Sequence, residues 1–190
     1  MIFRLAREED IDAVARIYEH VHEAEAQGLT TTGWLRGVYP VKSTAEAALE
    51  RGDLYVCEMS ANDIQSETGD AELGGIDEQI VATAIINQIQ VDVYEGANWS
   101  YEAPGNEVCV LHTLAVDPTC HKNGIGARFV EFYESVAREM GCTVLRMDTN
   151  ANNTIARAFY PRFGYRECDV VPTVFNGIPG VDLVLMEKKL

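Results

Sequence analysis

Residues 121–127 read His121-Lys122-Asn123-Gly124-Ile125-Gly126-Ala127, and the meaning of this stretch decides the fold. Before it lies an apolar run, Val108 to Val116, closed by Asp117-Pro118. After it, Phe129, Phe132, Tyr133, Val136 and Met140 recur at three- and four-residue steps. The first pattern predicts a strand buried on both faces, the second an amphipathic helix that ends at Gly141. Glycines at 124 and 126 let the backbone approach a ligand closely, and the first-turn amides of a helix lack partners within it. Together with the helix dipole they form a cradle for a diphosphate.

Two kinds of diphosphate ligand compete for such a cradle. A dinucleotide fingerprint needs a third glycine and an acid roughly 20 residues further on. Asp148 lies at a suitable distance, but the third glycine position is Phe129, which would block close helix–strand packing. The motif also follows some 120 residues of chain instead of opening a nucleotide-binding half.

Outward from this block, the pattern predicts a strand over 2–6 and a helix over 10–27 with Ile11, Val14, Ile17, Tyr18 and Val21 on one face. A loop over 28–42 leads to a short helix over 43–50, opened by the capping-box sequence Ser43-Thr-Ala-Glu46. Strands follow over 54–59 and 79–90, joined by an acidic hairpin loop over 62–78. An irregular segment over 94–106 holds Trp99 and Tyr101, which either line a substrate pocket or cap one end of the core. Beyond the central helix come a strand over 143–148, a short helix over 153–160, and strands over 165–171 and 181–187. With no repeat and no linker, one domain spans 1–190.

Composition narrows the function. A net charge of -15 disfavours nucleic acid, whose phosphates need clustered Lys and Arg. No apolar run approaches the roughly 20 residues that span a bilayer, and the start lacks a signal-peptide layout. A cytoplasmic protein with no membrane partner is the expectation. Five scattered cysteines without a Cys-x-x-Cys pair disfavour a disulfide framework or a zinc site, and His20 and His22 are spaced wrongly to chelate one ion. Residues 52–121 carry thirteen acids and no Lys or Arg, whereas 122–166 carry seven basic residues against four acidic ones. This is either a solvated acidic surface or a pair of ligand sites with opposite preference.

The run Leu114-Ala-Val-Asp-Pro118, then Gly124-Ile-Gly126, then Asn153-Thr-Ile-Ala156-Arg-Ala-Phe-Tyr160-Pro-Arg-Phe-Gly164-Tyr165 resembles the GNAT acetyltransferase superfamily. The likeness is strong over 108–166, extends to the strand–helix–helix–hairpin beginning, and is weak in the two acidic loops. It implies an α/β (α+β) fold, a single domain whose mixed, mostly antiparallel, splayed sheet is flanked by helices. It also implies acetyl-CoA as co-substrate, in the V between two central strands. On the matching positions, backbone amides of Leu114, Ala115 and Val116 would pair with the pantetheine arm or the acetyl carbonyl. Those of Lys122, Asn123, Gly124, Ile125, Gly126 and Ala127 would hold the pyrophosphate. Within the Asn-x-x-Ala-x-x-x-Tyr helix, Asn153 and Ala156 would meet the cofactor and Tyr160 would face the departing sulfur. The family's loop usually begins with Gln or Arg; His121 stands there, which implies weaker or more pH-dependent binding.

The implied reaction is attack of a neutral amine on a thioester, through an oxyanion-bearing tetrahedral state. Reference pKa values of about 8.5 for a thiol and about 10 for tyrosine make protonation by Tyr160 uphill by about 2 kcal/mol. An alkylamine costs about 4.6 kcal/mol to deprotonate at pH 7. His112, within the buried strand, and Glu107, at its start, are the side-chain candidates for the base, with ordered water as the alternative. The acceptor would be a primary amine of a small molecule or peptide, in a pocket shaped by 54–106 and 175–181. A non-catalytic acyl-CoA sensor on the same fold is the competing function; the intact Tyr160 and the base candidates favour catalysis. Oligomeric state is left open, a homodimer included.

Overall fold

The structure, a computed structural model, describes residues 1–60, 78–120 and 124–190. Its strands are β1 (Ile2–Leu5), β2 (Leu54–Ser60), β3 (Glu78–Asn87), β4 (Val108–Val116), β5 (Val144–Asn150), β6 (Arg166–Phe175) and β7 (Ile178–Lys189). Its helices are α1 (Ile11–Ala26), α2 (Lys42–Arg51), α3 (Ile125–Glu139) and α4 (Thr154–Phe159). The strands form one sheet in the order β1-β2-β3-β4-β5-β7-β6. Every neighbouring pair is antiparallel except β4 and β5, which run parallel because α3 carries the chain from one to the other. The mixed, mostly antiparallel sheet expected from the sequence is therefore present. No helix among the described residues is long and apolar enough to cross a membrane.

Alternation along the strands sorts side chains to two faces. On one face, Phe129, Val130, Tyr133 and Ala137 of α3 are fully buried against residues such as Val81, Cys109, Leu145 and Met186. On the other, Val14, Ile17 and Tyr18 of α1 and Ala45 and Ala48 of α2 pack on Leu54, Val56 and Ile85. A separate cluster on Val108, Val110, Val144 and Leu185 is covered by the connection between β3 and β4, through Tyr94 and Trp99. That connection is pinned by Glu187, whose fully buried carboxylate accepts from the Ser100 and Tyr101 amides and from Arg166. Trp99 and Tyr101 thus cap the core: the Arg146 guanidinium lies 4.1 Å from the Trp99 ring centre, and that of Arg166 4.2 Å from Tyr101.

Several boundaries differ from the sequence pattern. The second helix starts at Lys42 rather than Ser43, since the Thr44 hydroxyl accepts from the Val41 amide at 3.1 Å and so closes the first turn. The last two strands are longer than their apolar runs because β6 and β7 pair as one hairpin from Arg166↔Glu187 to Phe175↔Ile178. The acidic hairpin loop lies outside the described residues, apart from Glu78 at the start of β3.

The sheet is interrupted at one point. Between His112 and Ala115, β4 carries one residue more than β3 opposite it, and Thr113 takes a left-handed φ of 51° to absorb it. The parallel ladder to β5 stops just before, at Leu111↔Met147.

Phe129, the residue that displaces the third glycine of a dinucleotide motif, is fully buried and meets Phe3 edge-to-face at 5.3 Å. Phe129→Ala should lower stability by about 3–5 kcal/mol, read as a fall in the urea midpoint at constant slope; an unchanged midpoint would remove this helix–sheet contact from the core.

Candidate active site

Because β4 and β5 part after Leu111↔Met147, the β5-facing backbone groups of β4 beyond that point have no strand partner among the described residues. Leu114, Ala115 and Val116 line a groove of about 480 Å³ together with Gly126, Asn153 and Phe159. The N-terminus of α3 borders it. Gly124 is the N-cap with a left-handed φ of 63° and no side chain among the described residues caps the helix, which leaves the first-turn amides as donors. A Cβ at Gly126 would stand 3.5 Å from Phe159 and 3.8 Å from Val116, in ordinary contact, so a larger side chain there intrudes on the groove. The remaining loop residues, His121, Lys122 and Asn123, lie outside the described residues. Asn153 also serves the local fold, because its Oδ1 caps α4 by accepting from the Ala156 amide at 3.1 Å.

A second, smaller cavity of about 170 Å³ lies beside the groove, and Leu114, Asn153, Ala156 and Tyr160 belong to the walls of both. Tyr160 opens a 3₁₀ turn, Tyr160–Phe163, directly after α4. It is 9% exposed, its hydroxyl has no hydrogen-bond partner among the described residues, and burial raises its pKa far above the ordinary phenol value. The phenol is therefore a protonated donor throughout the working pH range.

The base candidates separate. His112 lines the smaller cavity, but its Nε2 is held 3.1 Å from both Asn87 Oδ1 and the Ile89 carbonyl, and burial lowers its pKa to about 4. Asn87 is itself oriented by donating to Asp53 at 2.8 Å and accepting from the Ile89 amide at 2.9 Å, so His112 Nε2 carries the proton. Glu107 does not reach the cavity. It precedes Leu114 by seven residues, roughly 20 Å along an extended strand, and accepts from Thr143 Oγ1 at 3.0 Å.

The carboxylate that does reach the cavity is Asp148, near the end of β5. Its Oδ2 accepts from the Tyr94 hydroxyl at 2.8 Å, its Oδ1 accepts nothing among the described residues, and burial pushes its pKa up to about 6, against the opposing effect of Tyr94. Sequence spacing alone marks Asp148 only as a ribose ligand. The signal that could have found it is its place at the open end of a buried strand next to the diverging pair.

A roof covers this cavity. The connection between α1 and α2 contributes Thr32, Gly33, Trp34 and Tyr39 to the lining. Glu25 of α1 holds one end, accepting from the Thr32 amide and hydroxyl, the Gly33 amide and the Thr30 hydroxyl. His22 donates to the Pro40 carbonyl at the other end, and the Tyr39 hydroxyl meets Thr113 Oγ1. Gly33 passes so close to β5 that a Cβ there would stand 2.3 Å from Asn150 Nδ2. Glu25→Ala removes an acceptor shared by four donors, and charge-assisted bonds of this kind are worth about 1.5–3 kcal/mol each. It should speed hydrogen exchange at the Thr32 and Gly33 amides at least tenfold; unchanged exchange would show that Glu25 does not hold the roof.

Comparison with known proteins identifies the family and the fold. Residues 45–165 match the model of the acetyltransferase (GNAT) family. Over 81 residues, 40% of this chain, the sequence is 32% identical to an uncharacterized N-acetyltransferase of Methanocaldococcus jannaschii, and the chain spans about half (49%) of that curated relative's length. A GNAT-family acetyltransferase of Listeria monocytogenes superposes with a TM-score of 0.67 at 16% identity, covering 100% of this chain and 94% of that one. A Salmonella typhimurium protein solved with its cofactor acetyl-CoA superposes with a TM-score of 0.62 at 17% identity, covering 100% and 94%. At these identities the two structures show a shared fold. With the family match spanning well over half its length, this chain belongs to the GNAT acetyltransferase family.

Proposed function

We propose that the protein is an acetyl-CoA-dependent N-acetyltransferase acting on a primary amine. The observation that carries the reading is the meeting of two cavities at Tyr160, with Asp148 on the wall of the smaller one. The larger groove and the start of α3, which no side chain among the described residues caps, suit a long apolar arm ending in a diphosphate. The smaller cavity suits the amine. Acetyl-CoA supplies the activated acyl group; a bond forms from nitrogen to the acyl carbon and the carbon–sulfur bond breaks. One proton must leave the nitrogen, and one must reach the sulfur.

In this scheme the amides of Leu114 to Val116 and of Ile125 to Ala127 position the co-substrate, and Asn153 and Ala156 shape the passage between the cavities. Asp148 takes the proton from nitrogen. Its raised pKa brings it closer to an ammonium donor than an ordinary carboxylate would be, and the same desolvation lowers the amine's own pKa. His112, neutral above about pH 4, orients the wall rather than accepting that proton. The Tyr160 hydroxyl donates towards the sulfur. The burial that raises its pKa also raises that of a thiolate formed beside it, so the two remain comparable.

The pH profile distinguishes the bases. If Asp148 is the base, log kcat/KM changes slope by one unit near pH 6, and Asp148→Asn removes that break while lowering kcat/KM by about 10²–10⁴. A break near pH 4 that survives the substitution would point to His112 instead. Stability moves the opposite way. A carboxylate whose folded pKa is raised binds more protons in the folded state, so its contribution falls as pH rises from about 4 through 6. Asp148→Asn should therefore unfold at the same or a higher temperature at pH 8, and a large drop would mean that lost activity reflects lost fold.

Gly126→Val separates the two cavities. It should weaken acetyl-CoA binding at least tenfold by calorimetry, while Tyr160→Phe lowers kcat by at least tenfold with binding intact. Normal binding by the first variant would refute the groove as the co-substrate site.

A further inference from the structure

We infer that the acceptor is a small monoamine bearing no acidic group, bound as its cation against Asp148 beneath the roof formed by residues 27–41. The inference rests on the acetyltransfer reading and adds the class of amine. Its first support is the charge inventory of the smaller cavity. Among the described residues lining it, Asp148 is the one side chain charged at neutral pH, and no Lys or Arg contributes to the wall. Of the residues outside the described set, 61–77 contain no Lys or Arg, and Lys122 is the one Lys or Arg in 121–123. Arg146, which also belongs to β5, is committed to the Trp99 ring, the Tyr101 carbonyl and Gln90. An acceptor carboxylate or phosphate would thus be desolvated beside a carboxylate with no counter-ion among the described residues of the wall, which is strongly unfavourable.

The second support is the character of the wall. Trp34, Tyr39, Tyr160 and Phe175 line the same space, giving an apolar body for the amine and ring systems that favour a cation. Neutral His112 does not oppose that cation.

The third is closure. A volume of about 170 Å³ is near that of cavities that hold a single six-membered ring. The roof meets the opposite rim: a Cβ at Gly177, in the β6–β7 turn, would lie 3.4 Å from Val38. A peptide acceptor would have to pass its backbone around this contact, whereas a free amine needs only the interior.

The test uses phenethylamine, phenylalanine, phenylalaninamide and a tetrapeptide with N-terminal phenylalanine, with acetyl-CoA turnover followed by thiol release. Calorimetric binding of each acceptor to the protein is measured in parallel. Phenethylamine should exceed phenylalanine and the peptide in kcat/KM by at least 100-fold. Phenylalaninamide, with similar bulk but no charge at that position, should exceed phenylalanine at least tenfold. Equal or better use of phenylalanine or the peptide overturns the inference and leaves acetyltransfer standing. Binding of phenethylamine but not phenylalanine, with no thiol released from any acceptor, supports the amine site and overturns acetyltransfer. Absence of binding by all four overturns the inference.

Discussion

One additional residue in β4 organises this molecule. Thr113, with its left-handed backbone, lies at the register shift, directly after the point where pairing of β4 with β5 ends. A continuous parallel ladder would have saturated the backbone of both strands and left no gap. Because pairing ends at Leu111↔Met147, a row of main-chain donors and acceptors faces an opening instead of a neighbouring strand. Both cavities lie against that row, with Leu114 and Tyr160 common to them. The same departure leaves Asp148 one residue beyond the last parallel pair, where its carboxylate meets the smaller cavity.

The elements around the opening are held by interactions that serve no chemistry of their own. Glu187 is fully buried on β7 and anchors the connection that brings Tyr94 over Asp148. Glu25 and His22, on successive turns of α1, hold the two ends of the roof. Tyr39 links the roof to Thr113, so the bulge and the cover over the smaller cavity are joined directly. A desolvated carboxylate is costly to keep, and the Tyr94 hydroxyl supplies the hydrogen bond that offsets part of that cost at Asp148.

The architecture was largely legible in the chain, for reasons that are local. β4 is a nearly unbroken apolar run, α3 presents a clean stripe, and the glycines at 124 and 126 mark the turn between them. Phe129 excluded the dinucleotide alternative correctly because a fully buried ring cannot replace a glycine used for close packing. What is not legible depends on distant partners. His112 is held by Asn87 and Ile89, and burial depresses its pKa, neither of which its own strand reveals. Glu107 meets Thr143, 36 residues away, at the far end of β4 from Leu114. Asp148 gains its significance from Tyr94, 54 residues away. The charge split along the chain also does not survive folding intact. Arg138, Arg157 and Arg166 pair with Glu134, Glu167 and Glu187, so much of the basic segment is neutralised within its own end of the sheet.

The central claim is that the opening between β4 and β5 receives acetyl-CoA along its free backbone groups. The most direct measurement is an amide-resolved titration of isotopically labelled protein with acetyl-CoA by NMR. The account predicts that the amides of Leu114 to Val116 and of Ile125 to Ala127 shift together, with one shared dissociation constant, while those of β1 and β6 stay in place. Saturable binding that leaves Leu114 to Val116 unmoved, or that shifts a different part of the sheet, would contradict it.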